Sequence, residues 1–264
     1  MKIGILCREN DVNLKKFIKK LYDLDQKNIF VIIEKKIQIK RSKIEEWNSE
    51  NFDLSFFEKI ISLLNSLTKR IIKKKVIMKE NQDNFDAKFW CQNNNIKYIF
   101  SLHNSKESES FIKEKKIQHL FLLSGGIIKK NILNIKDLII YNAHPGRLPR
   151  HRGLGSIEWS IIENCQISLT LHTLNHTIDG GEIIKIVDFL PNKNESLKDL
   201  KIRMIGYKPI IFSELVKNIN DNSVVMLTQN SYDGILHRKL TRKEKQILEK
   251  KYINLKKLSK EDNA

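Results

Sequence analysis

Apolar residues along this chain alternate between strand-like runs and helix-like spacings. Lys2 to Cys7 is a short apolar run, and Ile29 to Glu34 is a β-branched run of strand length. Between them, residues 13–24 place large apolar side chains at helical spacing, with lysines on the opposite face. A strand, a helix and a strand in this order predict a βαβ unit and hence a parallel sheet.

The alternation returns after a polar region, residues 35–95, which we interpret as an elaboration between the second and third strands. Within that region, residues 56–75 predict a helix. Further strands are predicted at residues 96–102, 119–126 and 138–146. A helix is predicted over residues 104–117, because Ser105 and the acidic residues after it are typical of a helix N-terminus.

The C-terminal half continues with a hairpin-like strand pair over residues 167–186, turning at an Asp-Gly-Gly sequence. A long helix follows, interrupted at Pro209. Beyond residue 218 the pattern predicts a short hairpin element at residues 231–236 and a terminal amphipathic helix that begins at Thr241.

The predicted fold is therefore α/β, with a Rossmann-like open, mostly parallel sheet. We predict a main domain over residues 1–218 and a small C-terminal extension over residues 219–264.

Composition narrows the class of protein. The chain is 41% hydrophobic and 30% charged, which is typical of a globular protein. It has no apolar run long enough to span a bilayer and no signal-peptide pattern, so we expect a cytoplasmic protein. Its three cysteines show no metal-binding or disulfide spacing, and we expect them to be reduced.

The formal net charge of +17 leaves two interpretations open. A basic surface favours phosphates, whether on RNA, on a nucleotide or on a polyglutamate tail. However, the lysines are spread along the whole chain and interleaved with Ile and Asn, which favours a compositional bias over a dedicated RNA-binding face.

Candidate chemistry is concentrated in the sequence YNAHPGRLPRHRG, Tyr141 to Gly153. Asn142 and His144 are two residues apart at a predicted strand end, so their side chains point to the same side. Asp179 lies at the tip of the following hairpin. A histidine near a carboxylate can handle protons, and an asparagine N–H can stabilise a developing oxyanion. With no serine or cysteine in an elbow motif nearby, direct attack by a substrate group on a carbonyl is favoured.

These segments resemble the formyltransferase family, which includes methionyl-tRNA, glycinamide ribonucleotide and sugar N-formyltransferases. The family pattern is an Asn-x-His strand end, a Pro-containing loop and a strand pair with Asp-x-Gly. It is matched here by NAHPGRLPRHRG and TLHTLNHTIDGGEII. The resemblance covers about residues 96–190 well and the first two strands loosely. It implies the formyltransferase fold, with residues 1–218 as the catalytic domain.

The resemblance also implies a cofactor and roles for individual residues. Asn142 and His144 would polarise the formyl carbonyl of 10-formyltetrahydrofolate, the formyl donor. Asp179 would orient His144 and help remove protons from the attacking amine. Backbone groups would hold the pterin ring at two cofactor-binding segments: Ser124, Gly125, Gly126, Ile127 and Ile128, and His176, Thr177 and Ile178.

Two positions depart from the family pattern: Gly146 replaces the usual serine, and Arg147 replaces the usual apolar residue. His151 and Arg152 either contact a substrate phosphate or are exposed loop cations. His172 and His176 are four residues apart, but on a strand and turn that spacing does not align two metal ligands, so we predict no metal site there.

We expect the acceptor to be a primary amine on a small, phosphate-bearing molecule, most simply a nucleotide-linked amino sugar. The reason is that the residues after the last core helix are too few for a tRNA-binding barrel. A methionyl-tRNA or glycinamide ribonucleotide formyltransferase is the alternative within the family. A hydrolase is disfavoured, since the chain begins with the first Rossmann-type strand. An interpretation from a different class is a non-enzymatic RNA-binding module. A homodimer is compatible with the sequence.

Overall fold

The computed structural model describes residues 1–34, 85–230 and 233–258. Within these ranges the strands are β1 Ile3–Arg8, β2 Ile29–Glu34, β3 Lys97–Phe100, β4 His119–Leu122, β5 Ile139–His144, β6 His151–Gly153, β7 Ile167–Thr173, β8 Ile183–Phe189 and β9 Ile235–His237. The helices are α1 Asn13–Asp23, α2 Ala87–Asn93, α3 Lys106–Lys115, α4 Lys130–Leu133, α5 Ser156–Ile162, α6 Leu197–Gly206, α7 Lys208–Asn220 and α8 Arg242–Leu258.

Seven strands form one sheet in the order β3-β2-β1-β4-β5-β7-β8. The five strands from β3 to β5 run parallel, β7 pairs antiparallel with β5, and β8 pairs antiparallel with β7. The winding direction reverses between β1 and β4, and open α/β sheets bind ligands beyond the carboxyl ends of the strands at such a point. The predicted α/β fold with a Rossmann-like, mostly parallel sheet is confirmed.

Successive side chains on a strand point to opposite sides of the sheet. Because these strands are largely apolar, each face of the sheet is covered by its own core. On β1, Ile3 and Ile5 pack into one apolar core, whereas Leu6 packs into the other. Phe17 of α1 meets Phe212 of α7 in the larger core, with ring centroids 5.6 Å apart. Leu248 and Tyr252 of α8 belong to the same core, so this C-terminal helix packs on the main body.

Most predicted elements lie within two or three residues of the observed ones. Ser105 caps α3 by accepting a hydrogen bond from Ser108 N, as its sequence context predicts. Thr241 and Glu244 form reciprocal side-chain bonds to each other's backbone N–H at the start of α8. The long helix is interrupted at Tyr207, two residues before Pro209, and becomes α6 and α7. The predicted helix over residues 56–75 lies outside the described residues.

Three predictions need correction. β4 ends at Leu122 and not at residue 126, because the glycine-containing segment leaves the sheet. The Asp-Gly-Gly sequence forms only the end of the connection between β7 and β8, which spans residues 174–182. The prediction of a hairpin at residues 231–236 is wrong for residues 233–236, the part that the structure describes, since β9 pairs in parallel with β6. That pairing joins segments far apart in the chain, which a local pattern does not reveal.

Within the described residues, no helix combines the length and the apolar character needed to cross a bilayer.

Candidate active site

A cavity of about 1160 Å³ lies at the carboxyl ends of β1, β4 and β5. Its lining includes every residue that the sequence assigned to catalysis or to cofactor binding: Asn142, His144, Asp179, Ser124, Gly125, Gly126, Ile127, Ile128, His176, Thr177 and Ile178. Segments separated by more than thirty residues in the chain therefore meet at the end of the sheet where its topology favours a ligand.

Strand β5 carries Asn142 and His144 to the wall of this cavity. In the antiparallel pairing of β5 with β7, Asn142 lies opposite His172 and His144 lies opposite Thr170. A β-bulge interrupts the pairing of β7 with β8 between Leu171 and His172. Bulges re-aim side chains next to active sites, and this one lies where His172 meets Asn142.

His172 holds the amide of Asn142 in one orientation. Its Nδ1 lies 2.7 Å from Thr173 O, and a carbonyl oxygen can only accept, so Nδ1 carries the proton. Burial, followed by the nearby His144, lowers the pKa of His172 to about 4, so its ring is neutral at pH 7. Nε2 is then an acceptor, and Asn142 Nδ2, 3.3 Å away, donates to it.

His144 is buried, and its environment assigns its proton too. Its Nε2 lies 2.9 Å from His151 O and 3.1 Å from Ser156 Oγ, so Nε2–H is the donor to the carbonyl. Its Nδ1 lies 3.4 Å from Asp179 Oδ2. Burial lowers the pKa of His144 below its ordinary value, and Asp179 acts in the opposite direction. Nδ1 of the neutral ring is thus available to accept a proton, and the carboxylate is placed to stabilise the imidazolium.

Asp179 occupies a strained backbone position, with φ of +50°. Asp is among the few residues that tolerate this region. Gly153 N donates to Asp179 Oδ2 at 2.8 Å, and Gln229 Nε2 donates to Asp179 O at 2.9 Å. Gly181 is required nearby because a Cβ there would lie 1.9 Å from Thr173 O. Backbone strain that the surroundings hold in place is common at functional sites.

The proline- and glycine-containing loop after β5 is held tightly against β7. Thr170 Oγ1 donates to Gly146 O at 2.6 Å and accepts from Leu148 N at 3.2 Å. A Cβ on Gly146 would lie 2.6 Å from Ser156 Cβ and 2.7 Å from His144 Nε2. Glycine at position 146, a departure from the family pattern, therefore lets the loop approach the ring of His144 closely.

Lys208, which the sequence analysis did not single out, extends into the same cavity. Its Nζ donates to Leu123 O at 3.1 Å. Burial lowers the pKa of Lys208 to about 8, while Asp11 and Asp179 act in the opposite direction. Lys208 and His172 are brought to the site from α7 and β7, and no local motif marks either of them.

The two predicted cofactor-binding segments present backbone groups to the cavity. Within the described part of the chain, the backbone N–H groups of residues 125–128 donate to no protein acceptor. Asn104 Nδ2 donates to Ile127 O, and Asn104 Oδ1 accepts from Lys129 N, so these two hydrogen bonds brace the segment. Free N–H groups on a braced loop suit a flat heterocycle that carries its own acceptors.

His151 and Arg152 are buried, so the interpretation as exposed loop cations is wrong. His151 contacts Glu163, and Arg152 Nε donates to Ile178 O at 2.9 Å. Arg147 pairs instead with Asp188 on the surface, at 2.9 Å. His172 is buried beside Asn142 whereas His176 is exposed, in line with the prediction that this pair does not bind a metal ion, which stays a prediction.

No family model matches the chain. It is 33% identical over 127 residues to the methionyl-tRNA formyltransferase of Rickettsia canadensis (strain McKiel), covering 47% of this chain and 40% of that protein. It is 32% identical over 131 residues to the methionyl-tRNA formyltransferase of Wolbachia sp. subsp. Drosophila simulans (strain wRi), covering 46% and 44% respectively. The chain thus matches less than half the length of these curated relatives.

Solved structures extend the match in fold. The N-formyltransferase from Helicobacter canadensis, in complex with folinic acid and dTDP-3-aminofucose, aligns with a TM-score of 0.56 at 20% identity, covering 92% of this chain and 72% of that one. The phosphoribosylglycinamide formyltransferase of Streptococcus pneumoniae TIGR4 aligns with a TM-score of 0.52 at 15% identity, covering 83% and 98%.

The fold of this chain is therefore the formyltransferase fold. The resemblance to the formyltransferase family, first seen in the Asn142 to Asp179 segments, is confirmed by relatives that carry that name.

Proposed function

We propose that this chain is a folate-dependent N-formyltransferase, which moves a formyl group from 10-formyltetrahydrofolate to a primary amine. One observation carries the proposal. Asn142, His144 and Asp179 line one cavity together with both predicted cofactor-binding segments. The name of the curated relatives and the folinic acid in the Helicobacter canadensis complex support the same reaction.

Asn142 is the group proposed to stabilise the oxyanion. One N–H of its amide is used by His172 at 3.3 Å, which leaves the other directed away from that partner. A donor that is fixed before the reaction stabilises the charge that develops on the formyl oxygen when an amine attacks the carbonyl carbon. His172 is accordingly a positioning residue, since it acts through Asn142.

His144 and Asp179 are proposed to transfer the proton that the attacking amine loses. The attacking amine nitrogen forms its bond to the formyl carbon and must lose a proton. Nδ1 of His144 accepts that proton, and Asp179, 3.4 Å away, stabilises the resulting imidazolium. When the bond from the formyl carbon to the folate nitrogen breaks, the same proton returns to the departing nitrogen, so the histidine ends as it began.

The charge of the cavity supports an anionic substrate. Among its described lining residues, five are basic and one is acidic: Arg8, Lys129, Lys130, Lys208 and Arg238 against Asp179. Such a lining favours a phosphate on the acceptor or the glutamate carboxylates of a folate.

We propose a nucleotide-linked amino sugar as the acceptor. The alignment with the Helicobacter canadensis enzyme, solved with dTDP-3-aminofucose, extends over 92% of this chain and supports this choice. A second candidate is the amino group of aminoacylated initiator tRNA. The 33% identity to a methionyl-tRNA formyltransferase and the net charge of +17 favour it.

The test is release of tetrahydrofolate from 10-formyltetrahydrofolate by the purified chain, with a panel of acceptors. The panel contains nucleotide-linked amino sugars, glycinamide ribonucleotide, methionylated initiator tRNA and water alone. We expect release with an amino sugar nucleotide and its loss in His144→Ala. Release with the tRNA alone would replace the acceptor but keep the reaction, and release with water alone would indicate a hydrolase. Salt-dependent RNA binding without any folate binding would overturn the enzyme proposal in favour of an RNA-binding module.

A further inference from the structure

Two histidines and a glutamate form a cluster beside the active site. His151 begins β6, Glu163 caps the C-terminus of α5, and His237 ends β9. His151 Nε2 lies 3.0 Å from Glu163 Oε2, and His237 Nε2 lies 3.6 Å from Glu163 Oε1. One possible ligand atom from each residue lies within 4.8 Å of the other two. None of these three side chains takes part in the proposed transfer of the formyl group.

The His237 ring is the unusual member of the cluster. Its Nε2 is buried and has no hydrogen-bond partner among the described residues. The 3.6 Å to Glu163 Oε1 is too long for a hydrogen bond. A buried polar atom without a partner is costly, and in native structures it often marks an ion or a water molecule.

Neighbouring contacts orient both rings. Ser160 Oγ lies 3.3 Å from His151 Nδ1, so the opposite nitrogen of His151 faces Glu163. The ring of His237 stacks on Trp159 and on His151, with centroid separations of 4.9 and 5.4 Å. Ser160 fixes the outer nitrogen of His151 as the outer groups of metal-binding histidines do, whereas His237 is oriented by stacking.

We propose that His151, Glu163 and His237 bind one divalent transition-metal ion of the zinc class. A tetrahedral ion with ligands at its usual distances places the ligand atoms about 3.4 Å apart. His151 Nε2 lies 3.0 Å from Glu163 Oε2, and His237 Nε2 lies 3.6 Å from the other oxygen, Oε1, so each carboxylate oxygen is near that separation from one ring nitrogen. Two imidazoles and one carboxylate are a donor set that zinc accepts, and the fourth position goes to water.

The Glu163 side chain is 23% exposed, and His237 is among the residues that line the cavity, so the cluster is not sealed from solvent. Arg150 Nε lies 3.5 Å from Glu163 Oε2 and competes for the same carboxylate. Because the Arg150 side chain is largely exposed, it can move into solvent when the ion binds.

The ion would connect three elements that lie far apart in the chain. It would join β6, the end of α5 and β9, the strand that pairs with β6. The carbonyl oxygen of His151 accepts the hydrogen bond from His144 Nε2 at 2.9 Å. An ion bound there would therefore hold the backbone that accepts the hydrogen bond from His144.

The experiment uses the full chain without an affinity tag, treated with chelator, exposed to zinc and then dialysed. We expect one zinc ion per chain by elemental analysis and a higher Tm with zinc than without it. Cobalt added in its place should give the strong visible absorbance of a tetrahedral site. Glu163→Gln and His237→Gln should lose all three signals, whereas the matched control His119→Gln, at the opposite end of the sheet, should keep them.

Circular dichroism of each metal-free variant separates loss of the site from loss of the fold. A variant that is folded without metal yet still retains one zinc ion would overturn the assignment. So would a wild-type chain that retains no zinc and shows no change in Tm. Equal retention in the wild type and both cluster variants would show that zinc binds elsewhere.

Discussion

The amide nitrogen of Asn142 lies 3.3 Å from Nε2 of His172, across the antiparallel pair of β5 and β7. Because His172 donates from Nδ1 to Thr173 O, its Nε2 accepts, and the orientation of the Asn142 amide follows. The order of these contacts, from a carbonyl to a ring to an amide, fixes a donor at the cavity wall before any substrate binds.

Removal of this acceptor should impair the chemical step more than binding. We expect His172→Phe to lower kcat by about 10-fold to 100-fold, because a small misplacement of a catalytic group costs up to about that factor. KM for the formyl donor should change little. His172→Gln keeps an acceptor oxygen and should recover part of kcat in steady-state assays. Equal losses in both variants would reduce His172 to a packing role.

Asp179 can be tested with a change that keeps its shape. Asp179→Asn retains an oxygen for Gly153 N and a residue that tolerates φ of +50°. We expect kcat to fall by about 100-fold to 10,000-fold, since the imidazolium of His144 loses its carboxylate. Asp188→Asn is the control, because this acid pairs with Arg147 on the surface. An Asp179→Asn enzyme with an unchanged rate would exclude the carboxylate from proton transfer.

We expect Lys208 to give the proposed reaction a pH dependence that one substitution can assign to it. Its pKa in the folded chain is about 8, below the ordinary 10.5. If its charge supports the site, kcat/KM should fall above about pH 8. Lys208→Arg does not titrate in this range, so its profile should lack that decline when measured with the same acceptor. A decline of the same size and midpoint in Lys208→Arg would assign it to another group.

The lowered pKa of Lys208 also affects stability. The free energy of unfolding should rise with pH over the range in which kcat/KM falls. Between about pH 8 and 10.5 the unfolded chain binds a proton at Lys208 that the folded chain does not. The free energy of unfolding therefore gains from this group as pH rises through that window. Urea denaturation of Lys208→Met should lack this gain. Identical pH dependence in the wild type and in the variant would contradict the lowered pKa.

Gly146 should not tolerate the serine that is usual in the family. A Cβ there would lie 2.6 Å from Ser156 Cβ and 2.7 Å from His151 O, so the loop must shift. We expect Gly146→Ser to lower the free energy of unfolding by about 1–3 kcal/mol, the usual cost of overpacking, and to displace His144. Gly206→Ala is the control, since its Cβ would meet nothing within 4 Å. Urea denaturation and kcat of both variants provide the measurement, and two equally stable variants would contradict the close approach.

Local patterns in the sequence were sufficient to predict most of the helices and strands that the structure describes. The β-branched run at β2 and the helical spacing of α1 each express the period of one element, and both were predicted within a residue. Asn142 and His144 share a side because they alternate along one strand. Patterns of this kind depend only on neighbours in the chain.

The sequence by itself therefore determined the order of elements and the segments that carry the candidate chemistry. Only the tertiary structure decided which distant residues complete the site. His172 is 30 residues from Asn142, and Lys208 is 85 residues from its partner Leu123. The pairing of β9 with β6 and the His151, Glu163 and His237 cluster are equally non-local. Their physical cause is the packing of separate elements at one end of the sheet, and the period of a single element contains no information about that packing.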